Sequence, residues 1–421
     1  MVCFENTTAI PIKFAQNAAK FATKELDVLL DDSRLHSVGK CPFERLSSND
    51  IIVDRLLGRG GFCDVHECSK LSDQRTKFAI KLVSEPKEGK MKNFILGTSD
   101  LVLEAHFLAA LSHPNILNLH GVSDKIPFDK PSALSFEDSL SQGKHGDIFI
   151  VLEKIEETLK QRIKKWMIKS DRTKGFLYRA TRDSSGCHRK NFLIERVRVA
   201  SQLASAMEYL HKKNVVFRDL KPDNIGLDAS GSVKIFDFGL AKELKRKDYN
   251  SDGTYNLTGK TGTIRYMAPE VALGKAYNAS ADVYSFSIIL WELCSLKAPF
   301  VGFNEQAYME QVFQKGFRPK IPTLKYSGSY GHSLKKIVES CWDQDASKRP
   351  CFNDISVQLS ILQGTVESKD LCNKKPNVCC EDHKIFDISC HTNEVEVVNN
   401  DPLQIIRTRT DDTHLSASSD Y

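Results

Sequence analysis

Phe217-Arg218-Asp219-Leu220-Lys221-Pro222-Asp223-Asn224, followed thirteen residues after Asn224 by Asp237-Phe238-Gly239, is the stretch that decides how this chain is read. Asp219 can orient a hydroxyl group and accept its proton. Asn224 and Asp237 offer hard oxygen ligands of the kind Mg2+ prefers. Lys221 can neutralise a phosphoryl group as it moves. Positioning and charge stabilisation of this kind are most of what phosphoryl transfer asks of a protein.

Towards the N-terminus, Gly58-Arg59-Gly60-Gly61-Phe62-Cys63-Asp64-Val65 sits between two strand candidates, Ile51 to Leu57 and Val65 to Cys68. Glycines there let backbone N–H groups approach phosphate oxygens, which a Cβ would block. Alone, the string suits a plain turn as well. A third strand candidate, Lys77 to Val83, contains Phe78-Ala79-Ile80-Lys81 and puts a lysine among apolar neighbours. Leu101, Glu104, Ala105, Leu108 and Leu111 then recur at helical steps, and the pattern stops before Pro114. Lys81 paired with Glu104 can hold α- and β-phosphates. Phe149 to Leu152 reads as another strand. Helices follow: Ile194, Val197, Leu203, Ala204, Met207 and Leu210 share a face, and Val283 to Leu293 is apolar almost all round, the pattern of a buried helix.

These strings, in this order and completed by Ala268-Pro269-Glu270, resemble the eukaryotic protein kinase superfamily over about residues 48 to 363. Asp282-Val283-Tyr284-Ser285-Phe286 and Arg349-Pro350 resemble its tyrosine-kinase-like branch, which includes the Raf and mixed-lineage kinases. The resemblance implies an α+β bilobal fold, with a mainly β N-lobe over 48–152, a mainly α C-lobe over 153–363, and ATP with Mg2+ in the cleft. It implies a nucleotide site of Leu57, Gly58, Gly60, Gly61, Phe62, Val65, Ala79 and Lys81, with the backbone at Glu153 and Ile155 against adenine. Asn224 and Asp237 become the metal ligands, and Asp219, Lys221, Lys81, Glu104 and Thr263 the catalytic set. Asp282 is implied to brace the catalytic-loop backbone, and Arg349 to pair with Glu270.

Lys221-Pro222-Asp223 and Gly262-Thr263-Ile264-Arg265-Tyr266 resemble serine/threonine kinases, with Thr263 hydrogen-bonded to Asp219 and Lys221. The implied activity is phosphorylation of serine and threonine on protein substrates in intracellular signalling, with dual specificity left open. A binding scaffold without activity is the competing class. Such proteins commonly lose one of Lys81, Glu104, Asp219, Asn224 and Asp237, and this chain keeps all five. Ala268-Pro269-Glu270 and the threonine loop, which build a peptide platform, argue against small-molecule substrates.

Three positions depart from the family pattern. Cys63 replaces the third loop glycine. It is expected in the roof of the ATP site, partly exposed, where Mg-ATP would slow thiol labelling. Phe217 replaces a histidine, and its ring is expected to stack with Leu108, Leu119 and Phe238. Gly226 stands where a bulky residue usually lies under the adenine, which predicts more room and weaker nucleotide binding.

The remainder of the sequence sets limits. A net charge of +5 over 421 residues gives no argument for nucleic acid. Twelve cysteines without metal-ligand spacing read as reduced thiols and point to cytosol or nucleus. No run of eighteen apolar residues predicts a membrane span. Residues 1–47 read as a flank whose Lys13 to Leu30 forms an amphipathic helix, an organelle transit peptide being the alternative. Residues 123–147 and 167–190 read as surface insertions, and 364–421 as a disordered tail. Between Asp237 and Glu270, Thr258 is the expected target of an upstream kinase, with Arg218 and Lys242 as its phosphate pocket.

Overall fold

The structure, a computed structural model, describes residues 9–35, 43–85, 89–128, 133–172, 187–322, 328–372 and 406–407. The chain begins with helix α1, Ile12–Leu30, whose Ala15, Ala18, Ala19, Ala22, Leu26 and Leu29 form one buried stripe. The stretch read as a flank therefore packs into the main core.

Strands β1 (Glu44–Leu46), β2 (Ile51–Arg59), β3 (Cys63–Lys70) and β4 (Asp73–Val83) come next, then helix α2 (Met91–Ala110) and β5 (Leu119–Ser123). Helix α3 (Ala133–Ser141) precedes β6 (Phe149–Leu152). The six strands form one sheet in the order β1-β5-β6-β4-β3-β2, with β1 parallel to β5 and the other neighbours antiparallel. Strand β6 is buried on both faces and alternates between them. Phe149 and Val151 join Leu46, Ile51, Val53 and Phe78 in a small outer core. Ile150 and Leu152 face the main core with α2.

Beyond the short β7 (Glu157–Thr158) the chain is mainly helical: α4 (Leu159–Arg172), then α5 (Cys187–Lys212). A set of short strands follows, namely β8 (Val215–Val216), β9 (Ile225–Leu227), β10 (Val233–Ile235), β11 (Lys242–Glu243) and β12 (Thr261–Gly262). Helices α6 (Ser280–Ser295), α7 (Gly328–Cys341) and α8 (Phe352–Cys372) complete the lobe. The expected two-lobe architecture is the one found. Helix α6 is buried from Ala281 to Cys294 and is the lobe's axis. Two of its inward serine hydroxyls are satisfied by backbone: Ser285 Oγ donates to the Tyr266 carbonyl at 2.7 Å and Ser287 Oγ to that of Tyr284 at 2.6 Å.

The two polar stretches differ from the surface loops read in the sequence. Residues 123–147 contain α3, whose Phe136 and Leu140, one turn apart, are buried and turn the helix onto α1. In 167–190, α4 continues to Arg172 and α5 already starts at Cys187, while 173–186 lie outside the described residues. Helix α8 crosses Gly364, and the expected disorder of the tail falls on residues mostly outside the described set.

Candidate active site

Strand β4 and helix α2 bring the first charged cluster together. Lys81 lies opposite Val65 on β3, so Val65, Ala79 and Lys81 share one face of the sheet. Its Nζ is 2.5 Å from Glu104 Oε2 and 3.2 Å from Asp237 Oδ1. Glu104 is 1% exposed and its other oxygen accepts the Asp237 N–H at 3.1 Å. Burial works against the lysine's charge, but the Asp237 and Glu104 carboxylates outweigh it and hold its pKa well above the ordinary value. Asp237 has a left-handed backbone, φ 68°.

The second cluster surrounds Asp219. Lys221 Nζ donates to Asp219 Oδ2 at 2.7 Å and to Thr263 Oγ1 at 2.9 Å, while Thr263 Oγ1 donates to Asp219 Oδ1 at 2.8 Å. Asn224 Nδ2 donates to the Asp219 carbonyl at 3.0 Å and to Oδ2 at 3.1 Å. Burial raises the Asp219 pKa, with Lys221 and Thr263 opposing. The loop carrying Thr263 presses on this strand of backbone: a Cβ at Gly262, whose φ is +103°, would lie 2.4 Å from the Arg218 carbonyl oxygen. Only glycine suits that position on both counts. Asp282, at the start of α6, accepts the N–H groups of Phe217 at 2.8 Å and Arg218 at 2.9 Å. Arg349 forks onto Glu270 at 2.7 and 2.9 Å. The Phe217 and Phe238 rings meet edge to face, centroids 5.2 Å apart, and Leu108 and Leu119 are buried in the same large core.

Asn224 turns its amide nitrogen onto Asp219, which leaves Oδ1 available as a donor atom. With the Asp237 carboxylate this makes a hard oxygen donor pair. Among the described residues no cluster of three His, Cys, Asp or Glu side chains could hold a metal alone. That composition fits Mg2+, which takes most of its shell from water and phosphate oxygens.

The turn between β2 and β3 closes with Gly60 N–H donating to the Cys63 carbonyl at 2.7 Å. A Cβ at Gly58 or Gly61 would meet nothing within 4 Å, so the protein's own packing does not demand glycine there. The open space suits a ligand that approaches the backbone. Phe62 leans on α2, where a Cβ at Gly97 would come within 2.9 Å of it. Leu57 is 39% exposed at the end of β2. Glu153 follows β6, and its carboxylate pairs with Lys234 at 2.9 Å.

Cys63 and Gly226 differ from expectation. Cys63 is 5% exposed and points inwards, with Sγ 3.9 Å from the Gly97 carbonyl. Burial pushes its pKa up to about 12. As the first residue of β3 it alternates away from Asp64 and into the sheet–helix interface. Gly226 leaves no vacant space, because a Cβ there would sit 2.7 Å from Ile155 Cγ2. Ile155 fills the place from the connecting segment.

Several participants carry no sequence signal. His211 Nε2 lies 2.9 Å from Asp282 Oδ2, and Tyr277 Oη donates to the Thr258 carbonyl at 2.9 Å. Tyr266 Oη donates to Glu292 at 2.9 Å, and burial raises Glu292 to about 7. Each pair joins distant segments, so no local spacing could have marked it.

The sequence matches the protein kinase domain over residues 51–358. It is 36% identical to serine/threonine-protein kinase STY17 of Arabidopsis thaliana over 45% of this chain and 31% of that protein. It is 28% identical to dual specificity protein kinase shkA of Dictyostelium discoideum over 75% of this chain and 50% of that protein. It is 29% identical to tyrosine-protein kinase Fer of Mus musculus over 82% of this chain and 35% of that protein. The chain thus spans half or less of the length of these relatives. With the family matched across most of its length and both charged clusters assembled in the cleft between its lobes, the chain belongs to the protein kinase domain family.

Proposed function

We propose that this chain transfers the γ-phosphate of ATP to serine and threonine hydroxyls of protein substrates, acting in intracellular signalling in the cytosol or nucleus. The observation that carries the reading is the closed triangle of Asp219, Lys221 and Thr263, all within 2.9 Å of one another. It fixes a buried carboxylate beside a cation on a short, rigid platform. Asp219 orients the substrate hydroxyl and accepts its proton as the oxygen bonds to phosphorus and the bond to the ADP oxygen breaks. The raised pKa of Asp219 favours that acceptance. Lys221 stabilises charge on the moving group, and Thr263 holds Asp219 in place. Lys81, kept charged by Glu104 and Asp237, holds the α- and β-phosphates. Asn224 and Asp237 would hold Mg2+, which when bound neutralises charge on the phosphate oxygens. Gly58, Gly60, Gly61 and Phe62 cover the phosphates, Leu57, Val65 and Ala79 the base, and the backbone at Glu153 and Ile155 reads its edge.

The test is phosphorylation of a peptide library by purified protein with Mg-ATP, followed by phosphoamino-acid analysis. Phosphoserine and phosphothreonine are the expected products. A majority of phosphotyrosine would overturn the hydroxyl assignment, and comparable amounts of all three would establish dual specificity instead.

A further inference from the structure

Helix α1 lies outside the matched region 51–358, yet it touches both elements that assemble the candidate site. The first is α2, which carries Glu104. Ala15, Ala18, Ala19, Ala22 and Leu26 are each at most 1% exposed, and their spacing makes one narrow seam. Small side chains let α1 lie close along α2, and Phe14 meets Phe94 edge-on at 5.9 Å. Helix α3 covers α1 as well, and Ile10 N–H reaches the Gly143 carbonyl at 3.4 Å.

The second element is the segment just after Asp237-Phe238-Gly239. Glu243 on β11 is 3% exposed and accepts three donors from the turn that follows α1: Ser33 Oγ at 2.6 Å, Arg34 N–H at 2.9 Å and Leu35 N–H at 3.1 Å. Lys245 Nζ donates to the carbonyls of Val28 at 2.6 Å, Leu29 at 2.9 Å and Asp31. The last carbonyls of a helix lack intrahelical partners, and the helix dipole favours a cation beside them. Lys245 meets both needs. Lys247 adds an ion pair with Asp31 at 2.5 Å. Burial lowers the pKa of nearby Lys242, and Asp248 and Glu25 of α1 oppose that shift, so a carboxylate of α1 also reaches the neighbourhood of Arg218 and Lys242.

We propose that α1 is a built-in positioning element for phosphoryl transfer: Glu243 and Lys245 fasten its C-terminal end to the segment after Asp237, and its alanine seam holds α2 so that Glu104 stays on Lys81. The proposal goes beyond the assignment of substrate hydroxyls and rests on the phosphotransfer reading. Glu243 and Lys245 act through α1 and α2 and touch no reacting atom. Both ends of the Lys81–Glu104–Asp237 cluster are thereby tied to one helix, and loosening either tie frees α2 to move as a body.

The experiment uses the full chain. Glu243→Ala removes the acceptor for three donors. Ala19→Trp wedges α1 from α2 without altering any residue of the matched region. Both are expected to lower kcat about ten-fold or more while KM for peptide stays within about two-fold, because substrate contacts are intact. Glu243→Gln keeps a carbonyl oxygen for the two backbone N–H groups and retains most of the activity. Amide hydrogen exchange in α2 rises in Glu243→Ala and Ala19→Trp, whereas exchange in α6 does not change. Unchanged kcat, or unchanged exchange in α2, in folded Ala19→Trp overturns the proposal, and that variant decides the matter if Glu243→Ala does not fold. If wild type shows no turnover, the phosphotransfer reading fails, while the exchange comparison still decides whether α1 holds α2.

Discussion

Ile155 and Gly226 share a single side-chain volume: a Cβ on Gly226 would lie 2.7 Å from Ile155 Cγ2 and 2.9 Å from its Cδ1. The connecting segment thereby supplies the apolar surface that β9 does not. Ile155→Ala should raise KM for ATP about ten-fold, equivalent to about 1.4 kcal/mol. Gly226→Leu should also impair binding, because overpacking costs about 1–3 kcal/mol. The double variant should recover most of the loss, since each change corrects the other. Additive losses in the double variant would show that the two positions do not act as a pair.

That pair also shows where sequence reading stops. Gly226 was legible as an unusual small residue, but its filler is seventy-one positions away, and no local spacing connects them. Asp219, Lys221, Asn224 and Asp237 were legible as candidates because they stand in a few local strings, and the structure brings them together. Strand β6 and helix α6 were legible because their burial is written as continuous apolar runs. Helix α1 was legible as amphipathic, but its partner was not, because alanines mark a close approach without naming the surface approached. Helix α3 was missed because its inward-facing Phe136 and Leu140 stand in a largely polar stretch.

Asp219→Asn should lower turnover by about 10²-fold or more while leaving ATP affinity nearly unchanged, because Asp219 addresses the hydroxyl and not the nucleotide. Lys81→Met should also impair catalysis, since Glu104 and Asp237 would then face each other without the cation they share. Turnover assays beside nucleotide-binding measurements check both. Near-normal turnover in Asp219→Asn would remove it from the mechanism.

Cys63 should resist thiol reagents. Its pKa of about 12 leaves almost no thiolate at neutral pH, and its sulfur is buried against α2. Among the described thiols, exposed Cys351 should react first. Mass spectrometry of protein labelled for increasing times, with and without Mg-ATP, checks the order. Rapid labelling of Cys63 that Mg-ATP slows would restore the partly exposed roof position.

Glu292 should make stability fall as pH rises. Its folded pKa, raised by burial to about 7 with the Tyr266 hydrogen bond opposing, lies above its ordinary value of 4.5. Between those values the native state holds a proton that the unfolded chain has released, so ΔG of unfolding declines with pH through this window and the full cost is present above it. Glu292→Gln keeps an acceptor for the Tyr266 hydroxyl and removes the titration. It should flatten the slope and raise stability at pH 8 by up to roughly 3 kcal/mol. Urea unfolding at pH 5.5 and 8 reads the effect, and parallel slopes in both proteins would rule it out.

Phosphorylation of Thr258 is the remaining expectation, and the geometry around Arg218 supplies its rationale. Arg218 has a left-handed backbone, φ 69°, and its Nε donates to the Leu240 carbonyl at 2.6 Å. Its buried Nη1 has no hydrogen-bond partner. A buried guanidinium nitrogen without a partner is costly, and a phosphate carrying about −1.5 to −2 charges would satisfy it. Thr258 stands close by in the fold, its carbonyl held by Tyr277, a residue that lies against Arg218. Since α1 already fastens α2, the phosphate should act on the loop that bears Thr263 and so on peptide binding. Thr258→Ala and Arg218→Ala should therefore raise KM for peptide several-fold and leave exchange in α2 unchanged. Kinetics of both variants, beside wild type with its phosphates mapped and after phosphatase treatment, give the answer. Full activity in Thr258→Ala together with no effect of phosphatase on wild type would mean that this switch does not exist.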